Sequence, residues 1–394
     1  MEPSRRVSSS RSDPLILISC GEASGDLYAA ALVEALRAID PRVQTYGFGG
    51  ERLRAAGAEL IGDFRGFSVT GLVEALKVLP KSYRMLRTIE AAARERRPDV
   101  FVAIDFPDFN FRLLPVMRRL GIPVVYYVSP QVWAWRESRV ETLRRFVKKM
   151  LVLFPFEKTF YDRAGVPADL VGHPLVDLAK ATRLRGEVLG SLRFRPEDPV
   201  VALLPGSRPN EISRLLPDLA GAADDRRRDV PRAQFVVARA PGLDDALFQP
   251  LDDVRRAGVP VGIVSADTDN VLAAADVVVT ASGTATIQAA LHGRPMVIVY
   301  KLSPLTYSLG RRFVRVSSYG MVNLVAGRPI VPELIQSECT PERIAREAVS
   351  LLTDRTRAEA MRRDLAAVRE ALGAPGASRR AAEAVLSARQ TVED

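Results

Sequence analysis

The chain has 394 residues, of which 47% are hydrophobic and 26% are charged, as is typical of a globular protein large enough for two domains. Its formal net charge of +9 favours anionic partners such as phosphates or an anionic membrane surface. No apolar run approaches the roughly 18 residues that a membrane span needs. No zinc-finger spacing, RNP aromatic signature or long Lys/Arg block favours nucleic acid as a partner.

The first residues and the cysteines bear on the compartment. Residues 1–13 have no apolar segment of the kind that a signal peptide carries, and we expect them to form a disordered lead-in. The two cysteines, Cys20 and Cys339, form neither a disulfide framework nor a metal motif. Because no disulfide framework is indicated, we expect the protein to reside in a reducing compartment.

The first half of the chain alternates predicted strands and helices. Strand 15–19 leads through a glycine-bearing turn, Gly21 to Asp26, into an Ala/Leu-rich helix that ends near Ala38. This turn has the spacing GxxxG rather than GxGxxG, so it does not predict a dinucleotide site. Further strands are predicted at 43–48, 100–104, 123–128, 149–154 and 168–171.

Asp105 is a candidate general base because the predicted strand 100–104 delivers it to the carboxyl edge of a sheet. Asp108 follows three residues later, and Pro107 between them predicts a turn. Either carboxylate could instead cap the helix that comes next. Capping is the favoured role for Asp108, and the two roles are equally compatible with Asp105.

A basic amphipathic helix is predicted between Phe67 and Arg87. Basic residues at 77, 81, 84 and 87 accompany an apolar stripe, which suits contact with an anionic membrane surface. The alternative is a helix packed on the sheet with a solvated basic face. The proposed membrane-contact residues are Val69, Leu72, Val73 and Leu76.

Both tryptophans of the chain, Trp133 and Trp135, follow the predicted strand 123–128. Two indoles on such a loop could line a sugar or lipid pocket. A hydrophobic plug under the loop is equally compatible with the pattern.

A change of composition after Pro174 predicts a domain boundary, and the alternation of strands and helices restarts at Pro199. Strand 200–204 is followed by a turn that contains Gly206, Ser207 and Arg208. Backbone N–H groups, a hydroxyl and a bidentate cation on one turn suit a phosphate. Further strands are predicted at 234–238, 259–264 and 296–300.

The stretch 274–290 predicts a second phosphate site. The apolar run 277–279 indicates a buried parallel strand, and Ser282, Gly283 and Thr284 form a turn before a helix. Gly283 allows close approach of a ligand, and the start of the next helix presents N–H groups and the positive end of its dipole. An ordinary strand-turn-helix connection is the alternative interpretation.

The predicted fold class is therefore α/β, with two Rossmann-like, doubly wound parallel-sheet domains. The predicted divisions are a lead-in at 1–13, an N-terminal domain at 14–175, a C-terminal domain at 176–340 and C-terminal helices at 341–394.

Eight stretches, in order along the chain, resemble the lipid-A-disaccharide synthase family. They are GEASGD (21–26), IDFPDFN (104–110), SPQVWAW (129–135), FPFEKTFY (154–161), VGHP (171–174), LLPGSR (203–208), SGTAT (282–286) and NLVAGR (323–328). The resemblance implies a GT-B glycosyltransferase whose two domains face each other across a cleft.

The resemblance also implies a reaction. UDP-2,3-diacylglucosamine would give its sugar, with inversion, to 2,3-diacylglucosamine 1-phosphate, forming a β-1,6 disaccharide and UDP. The enzyme would be cytoplasmic and peripheral on the inner membrane, and a homodimer is compatible with this picture. The residues themselves show no metal constellation, and cationic groups such as Arg208 could replace a metal, so no metal or cofactor is predicted. Asp105 would take the proton of the acceptor 6-hydroxyl.

The same resemblance distributes the binding residues over the two domains. The nucleotide diphosphate would lie against Gly206, Ser207, Arg208, Ser282, Gly283, Thr284 and Gln288. The acceptor or lipid pocket would include Gly21, Ser24, Asp26, Trp133, Trp135 and Asn323. Many relatives carry Glu where this chain has Gln288, which puts a ribose contact there in question. We expect both histidines, His173 and His292, to be structural.

Two other functions use the same architecture. An isomerase of the UDP-N-acetylglucosamine 2-epimerase type would need a different acid/base set and no pocket for acyl chains. A non-catalytic protein that binds a nucleotide sugar at the membrane would show no turnover.

Overall fold

The computed structural model describes residues 13–65, 72–135, 137–225, 229–303 and 318–389, with only the backbone at 72–78, 134, 135 and 137. The described chain forms two parallel sheets with helices on their faces. The strands of both sheets consist mainly of fully buried apolar residues, as expected for sheets covered on both sides.

The N-terminal sheet has seven parallel strands in the order β3-β2-β1-β4-β5-β6-β7. Their bounds are β1 Leu15–Cys20, β2 Gln44–Gly49, β3 Glu59–Asp63, β4 Val100–Ile104, β5 Val124–Tyr127, β6 Lys149–Val152 and β7 Ala168–Leu170. The order reverses between β1 and β4, and such a reversal opens a crevice at the carboxyl edge of the strands.

The helices of this half alternate with the strands. They are α1 Ala23–Ile39, α2 Glu51–Ala55, α3 Leu72–Arg96, α4 Pro107–Arg119, α5 Val132–Trp135, α6 Val140–Phe146 and α7 Pro155–Arg163. Two short helices, α8 Leu175–Leu178 and α9 Arg185–Ser191, lead into the second domain.

The C-terminal sheet has six parallel strands in the order β10-β9-β8-β11-β12-β13. Their bounds are β8 Val200–Leu204, β9 Gln234–Arg239, β10 Val261–Ser265, β11 Val277–Ala281, β12 Met296–Tyr300 and β13 Glu333–Ile335. The order reverses between β8 and β11, so each domain has its own topological switch point. The α/β class, with two doubly wound parallel sheets, is thus confirmed.

The helices of the second half are α10 Pro209–Asp225, α11 Pro250–Arg256, α12 Thr268–Ala274, α13 Thr284–Leu291, α14 Met321–Ala326, α15 Pro341–Thr353, α16 Arg355–Ala371 and α17 Ala377–Ser387. The last of these, α17, packs against α1 of the N-terminal sheet. Arg380 on α17 donates to the Val171 carbonyl at 2.9 Å, and Asp177 accepts from the Gly376 N–H at 2.8 Å. Helix α17 therefore packs on the N-terminal domain, although it follows the C-terminal sheet in the sequence.

Strands β4, β8 and β12 have the predicted bounds, because each is an uninterrupted apolar run. Two strands, β3 and β13, were not predicted. Both lie at a sheet edge, and the sequences ELIGD and ELI carry acidic residues and little apolar periodicity. An edge strand pairs with another strand on one side only, so fewer of its residues have to be apolar and its hydrophobic pattern in the sequence is weaker.

Candidate active site in the interdomain cleft

Strand register brings the first turn of the chain beside Asp105. Cys20 at the end of β1 pairs with Ile104 at the end of β4, so the segments after both strands leave the sheet side by side. Gly21 is packed so closely there that a Cβ would lie 2.2 Å from the Phe106 ring. Glycine at this position is therefore a packing requirement.

Asp105 and Phe106 both have left-handed backbone conformations, with φ of 44° and 49°. Such conformations are uncommon for residues other than glycine and concentrate at functional sites. The turn is held from beneath, because the Asp105 carbonyl accepts from the Asn110 amide and from the Tyr126 hydroxyl, both at 2.8 Å. Buried Asn110 also accepts from the Ser19 hydroxyl at 2.7 Å, tying β1 to this turn.

Burial, and then the nearby Glu22 carboxylate, raise the pKa of Asp105 to about 7, while the Phe106 N–H and Arg208 act in the opposite direction. A carboxylate that titrates near neutral pH is a far better proton acceptor than one in water, because basicity rises with the pKa. Asp108 is exposed instead and pairs with Arg139 at 2.9 Å. Neither aspartate side chain caps α4.

Arg208 connects the two domains. Its guanidinium donates to Glu22 of the N-terminal domain at 2.5 Å and to Glu211 at 2.8 Å. Burial lowers the pKa of Arg208, but the two carboxylates outweigh burial and raise it above its ordinary value. The cleft therefore holds one fixed positive charge between two acidic groups, close to Asp105.

Two backbone donors of the turn 205–208 are occupied by a carboxylate of the same segment. The Glu211 carboxylate accepts from the N–H groups of Ser207 at 3.1 Å and of Arg208 at 3.3 Å. This is the return contact of a capping box at the start of α10. Gly206 has φ of 117°, and a Cβ there would lie 2.5 Å from the Glu211 carboxylate. Of the phosphate-binding groups predicted on this turn, the Arg208 side chain reaches Glu22 of the other domain, whereas the N–H groups of Ser207 and Arg208 are bonded to Glu211.

The second predicted turn is open. Thr280 pairs with Leu204, so the turns after β11 and β8 are neighbours. Gly283 has φ of 146°, and among the described residues other than its two chain neighbours no atom lies within 4 Å of a Cβ built on it. The Ser282 hydroxyl donates to the Tyr319 carbonyl at 2.8 Å, which anchors the turn. The space in front of Gly283 and Thr284 can accept a ligand at the start of α13.

Gln288 lies one turn further along α13 and has a partner of its own. Its amide donates to both oxygens of Asp269, at 3.2 and 3.4 Å. His292, which caps the end of α13, bonds the same carboxylate at 2.9 Å. Asp269 on α12 thus ties the two helices together, and a ribose contact by Gln288 stays a prediction.

Two residues predicted for the acceptor pocket have all their polar atoms engaged within the fold. Asp26 is buried and accepts backbone N–H bonds from Gly50, Arg52 and Leu53, at 2.7, 3.0 and 3.2 Å. These bonds satisfy the start of α2. Ser24, two residues earlier, is half-buried on α1.

Asn323 is the second of these residues. Its amide donates to Glu333 at 2.7 Å and to the Val331 carbonyl at 3.0 Å. Its oxygen accepts from the N–H groups of Ile330 and Val331 at 2.8 and 3.0 Å. Asn323 therefore fastens α14 to the segment that enters edge strand β13.

Trp133 lies on α5 with its indole half-buried. Its ring meets Phe156 edge-on at 5.0 Å, and its N–H donates to Glu157 at 3.4 Å. Burial raises the pKa of Glu157 to about 7, although two backbone N–H groups and the indole favour its ionised form. The side chain of Trp135 lies outside the described residues, so the pocket role of this pair stays a prediction.

Helix α3 lies where the basic amphipathic helix was predicted. Val69, and the side chains of Leu72, Val73 and Leu76, lie outside the described residues. In the part of α3 that is described, Leu79 is 44% exposed and Tyr83 is 58% exposed. Exposed basic residues at 81, 84 and 87 surround them. An apolar and basic surface is therefore present on this helix.

The described residues form neither a metal-binding cluster nor a helix that could span a membrane. Among the described residues, no group of three or more His, Cys, Asp or Glu side chains is arranged to hold a metal ion. None of the helices in the described part is both long and apolar enough to cross a bilayer. Metal independence stays a prediction.

Sequence reasoning missed three residues that contact Asp105 or Arg208, namely Glu22, Asn110 and Glu211. Glu22 and Asn110 stand inside the GEASGD and IDFPDFN stretches, where their spacing to Asp105 gives no sign of contact. These residues come together only because β1 pairs with β4 and because Arg208, in the turn after β8, contacts Glu22 after β1.

Solved structures define the fold class. A UDP-N-acetylglucosamine 2-epimerase from Neisseria meningitidis bound to UDP-GlcNAc matches with a TM-score of 0.65 at 11% identity, covering 95% of this chain and 100% of that one. A UDP-glucosyltransferase from Polygonum tinctorium matches with a TM-score of 0.65 at 14% identity, covering 96% and 99%. The fold is that of GT-B glycosyltransferases, with two Rossmann-like domains.

The particular family is shown by the sequence. The family model described as lipid-A-disaccharide synthetase matches residues 16–388. The lipid-A-disaccharide synthase of Geobacter sulfurreducens is 45% identical over 372 residues, which cover 94% of this chain and 96% of that protein. That of Myxococcus xanthus is 44% identical over 373 residues, covering 95% and 97%. The chain belongs to the lipid-A-disaccharide synthase family.

This membership confirms the resemblance and the enzyme class predicted from the sequence, a glycosyltransferase of lipid A biosynthesis. It favours glycosyl transfer over the epimerase alternative, since the epimerase likeness is one of fold alone.

Proposed function

We propose that this chain joins two acylated glucosamines by an inverting displacement, with Asp105 as the base. The donor is UDP-2,3-diacylglucosamine and the acceptor is 2,3-diacylglucosamine 1-phosphate. The observation that carries the proposal is Asp105 itself. It is a carboxylate with a pKa of about 7, in a strained turn at the edge of the cleft, close to a cation from the other domain.

The displacement is a single balanced step. The acceptor 6-hydroxyl attacks the anomeric carbon of the donor sugar and gives its proton to Asp105. The bond from that carbon to the phosphate oxygen breaks, and UDP leaves with the electron pair. General-base assistance of this kind contributes about 10²–10⁴-fold to the rate.

The leaving diphosphate needs positive potential from groups that are already in place. Arg208 supplies a guanidinium that also pairs with Glu22 and Glu211, and the start of α13 beside Gly283 supplies backbone N–H groups and the positive end of a helix dipole. These groups lie on neighbouring turns because β8 and β11 pair. In this proposal no metal ion takes part.

We further propose that the enzyme works peripherally at the cytoplasmic face of the inner membrane. Diacylated substrates are held in a bilayer, so the enzyme must approach the lipid surface. Leu79 and Tyr83 on α3 are exposed among basic residues at 81, 84 and 87. Each basic residue near an anionic surface contributes about 1 kcal/mol, and apolar insertion adds to this.

The test combines product mass with a matched pair of variants. Purified protein is incubated with the UDP-diacylglucosamine donor and the lipid monosaccharide phosphate, and the products are identified by mass. Asp105→Asn should lower kcat by about 10²-fold or more, because the proton acceptor is lost while the shape is kept. Asp108→Asn, on the exposed neighbouring carboxylate, should stay near wild type.

A thermal melt of each variant separates catalysis from folding. A folded Asp105→Asn variant within about threefold of wild-type kcat would exclude Asp105 as the base. Release of UDP without a disaccharide of the expected mass would exclude the proposed reaction.

A further inference from the structure

His173 is a buried histidine with one ring nitrogen engaged. It is 3% exposed and lies between β7 and α8. Its Nδ1 lies 3.2 Å from the backbone N of Leu175 and accepts that N–H. A neutral imidazole carries a single proton, so this proton must reside on Nε2. No acceptor for the Nε2–H lies among the residues that the structure describes.

The imidazole stays uncharged over the working range of pH, because burial lowers the pKa of His173 to about 3. His173 can therefore donate a hydrogen bond without introducing a buried charge. Such a donor can bond a ligand oxygen that comes within its reach.

Tyr28 lies next to His173 and reaches the other domain. The two rings meet edge-to-face with centroids 5.9 Å apart. The Tyr28 hydroxyl interacts with the side chain of Thr284, the first residue of α13, and lies within electrostatic reach of Asp105. Helix α8, which begins beside His173, also packs against α13. Two uncharged donors of the N-terminal half thus border the start of α13.

The start of α13 lacks acceptors of its own. In the described part of the chain, no protein oxygen accepts from the backbone N–H of Gly283, Thr284 or Ala285. Free N–H groups at a helix start and an open space in front of a glycine suit an oxyanion.

We propose that His173 Nε2–H and Tyr28 O–H bind the diphosphate of a nucleoside diphosphate at the start of α13, closing the site from the N-terminal domain. This inference deepens the proposed function and rests on its nucleotide site. It gives His173 a binding role in addition to the structural one expected from the sequence.

Two substitutions of His173 separate these two roles. In His173→Asn the amide oxygen takes the place of Nδ1, so the contact to Leu175 is kept and the Nε2 donor is lost. In His173→Gln the amide nitrogen takes the place of Nε2, so the donor is kept and the Leu175 contact is lost.

The measurement is the affinity for UDP, UMP and uridine by isothermal titration calorimetry, with a thermal melt of each variant. A hydrogen bond to a charged oxygen corresponds to about tenfold or more in Kd. His173→Asn should therefore weaken UDP by about tenfold, leave uridine unchanged and melt like wild type. His173→Gln should melt lower and bind UDP within about threefold of wild type. Tyr28→Phe should also weaken UDP selectively.

Three outcomes would overturn the proposal. UDP affinity of a folded His173→Asn variant equal to wild type is the first, and equal weakening of UDP and uridine is the second. Should His173→Asn not fold, Tyr28→Phe decides, and unchanged UDP affinity there is the third. UDP binding is measured without turnover, so it tests these contacts separately from the reaction. If the protein binds UDP but makes no disaccharide, the proposed reaction is wrong, and the variants still decide whether His173 and Tyr28 contact the diphosphate.

Discussion

Replacing Asp26 tests whether a residue of the GEASGD stretch serves the fold or the acceptor. Its carboxylate accepts three backbone N–H groups at the start of α2, and it is 4% exposed. Asp26→Ala leaves these donors unpaired. Each buried unsatisfied donor costs about 1–3 kcal/mol, and fraying of the short α2 recovers part of this, so we expect a loss of about 3–5 kcal/mol. Asp26→Asn keeps one acceptor oxygen and should lose about 2 kcal/mol.

The assays are urea unfolding, which gives the free energy of unfolding, and a thermal melt, both followed by tryptophan fluorescence. Both tryptophans of the chain, Trp133 and Trp135, lie in the same domain as Asp26, so the signal reports the relevant unfolding. The melting temperature of Asp26→Ala should fall by about 8–15 °C. Asp162→Asn is a suitable control, because Asp162 is half-exposed and pairs with Lys158 on the surface of α7, so its melting curve should overlay that of wild type.

The kinetics decide between the two roles of Asp26. If the residue is structural, Asp26→Asn at a temperature where it is folded should have a KM for the lipid acceptor close to wild type. Unchanged stability together with a strongly raised acceptor KM would refute the structural reasoning and place Asp26 in the acceptor pocket.

Three further predictions concern the cleft, the metal and the membrane. Glu22→Gln should move the acid limb of kcat/KM from near pH 7 to lower pH, because the carboxylate that helps raise the pKa of Asp105 is gone. Activity should persist in excess EDTA, because fixed cationic and N–H groups stabilise the leaving diphosphate. Changing Leu72, Val73 and Leu76 to Ser should lower binding to anionic vesicles and raise the apparent KM for lipid substrate.

Each of these has a control and a contrary result. For Glu22→Gln, Asp105→Asn should abolish the limb, and an unmoved limb in a folded Glu22→Gln variant would contradict the charge argument. For the metal, loss of activity in EDTA with recovery on adding magnesium would show dependence. For the triple variant, a sharply lower melting temperature would mean a core-facing stripe. If the folded triple variant sediments with anionic vesicles as the wild type does, the membrane contact lies elsewhere on the protein.

Much of the fold can be predicted from local patterns in the sequence. Buried parallel strands read as short apolar runs, and the strand at 100–104 and the one at 200–204 were bounded correctly for that reason. Asp105 and Gly283 were recognisable as site candidates because each lies just after such a run, and the carboxyl ends of parallel strands meet at one edge of the sheet.

The partners of these residues could not be predicted, because hydrogen bonds join residues that are far apart in the chain. Arg208 contacts Glu22 across 186 positions, and this contact exists only because the two domains face each other. Asp26 and Asn323 looked like pocket residues in the sequence, whereas the tertiary structure uses their polar atoms to secure a helix start and an edge strand.

The sequence by itself determined the family, the two doubly wound domains and the strand ends at which polar side chains gather, because these depend on local order along the chain. The tertiary structure alone decided which of those side chains are free to meet a ligand. That choice depends on which donors and acceptors are already bonded to other parts of the fold. Glu211 accepts from the N–H groups of Ser207 and Arg208 after β8, whereas no described group accepts from the N–H groups of residues 283–285 at the start of α13.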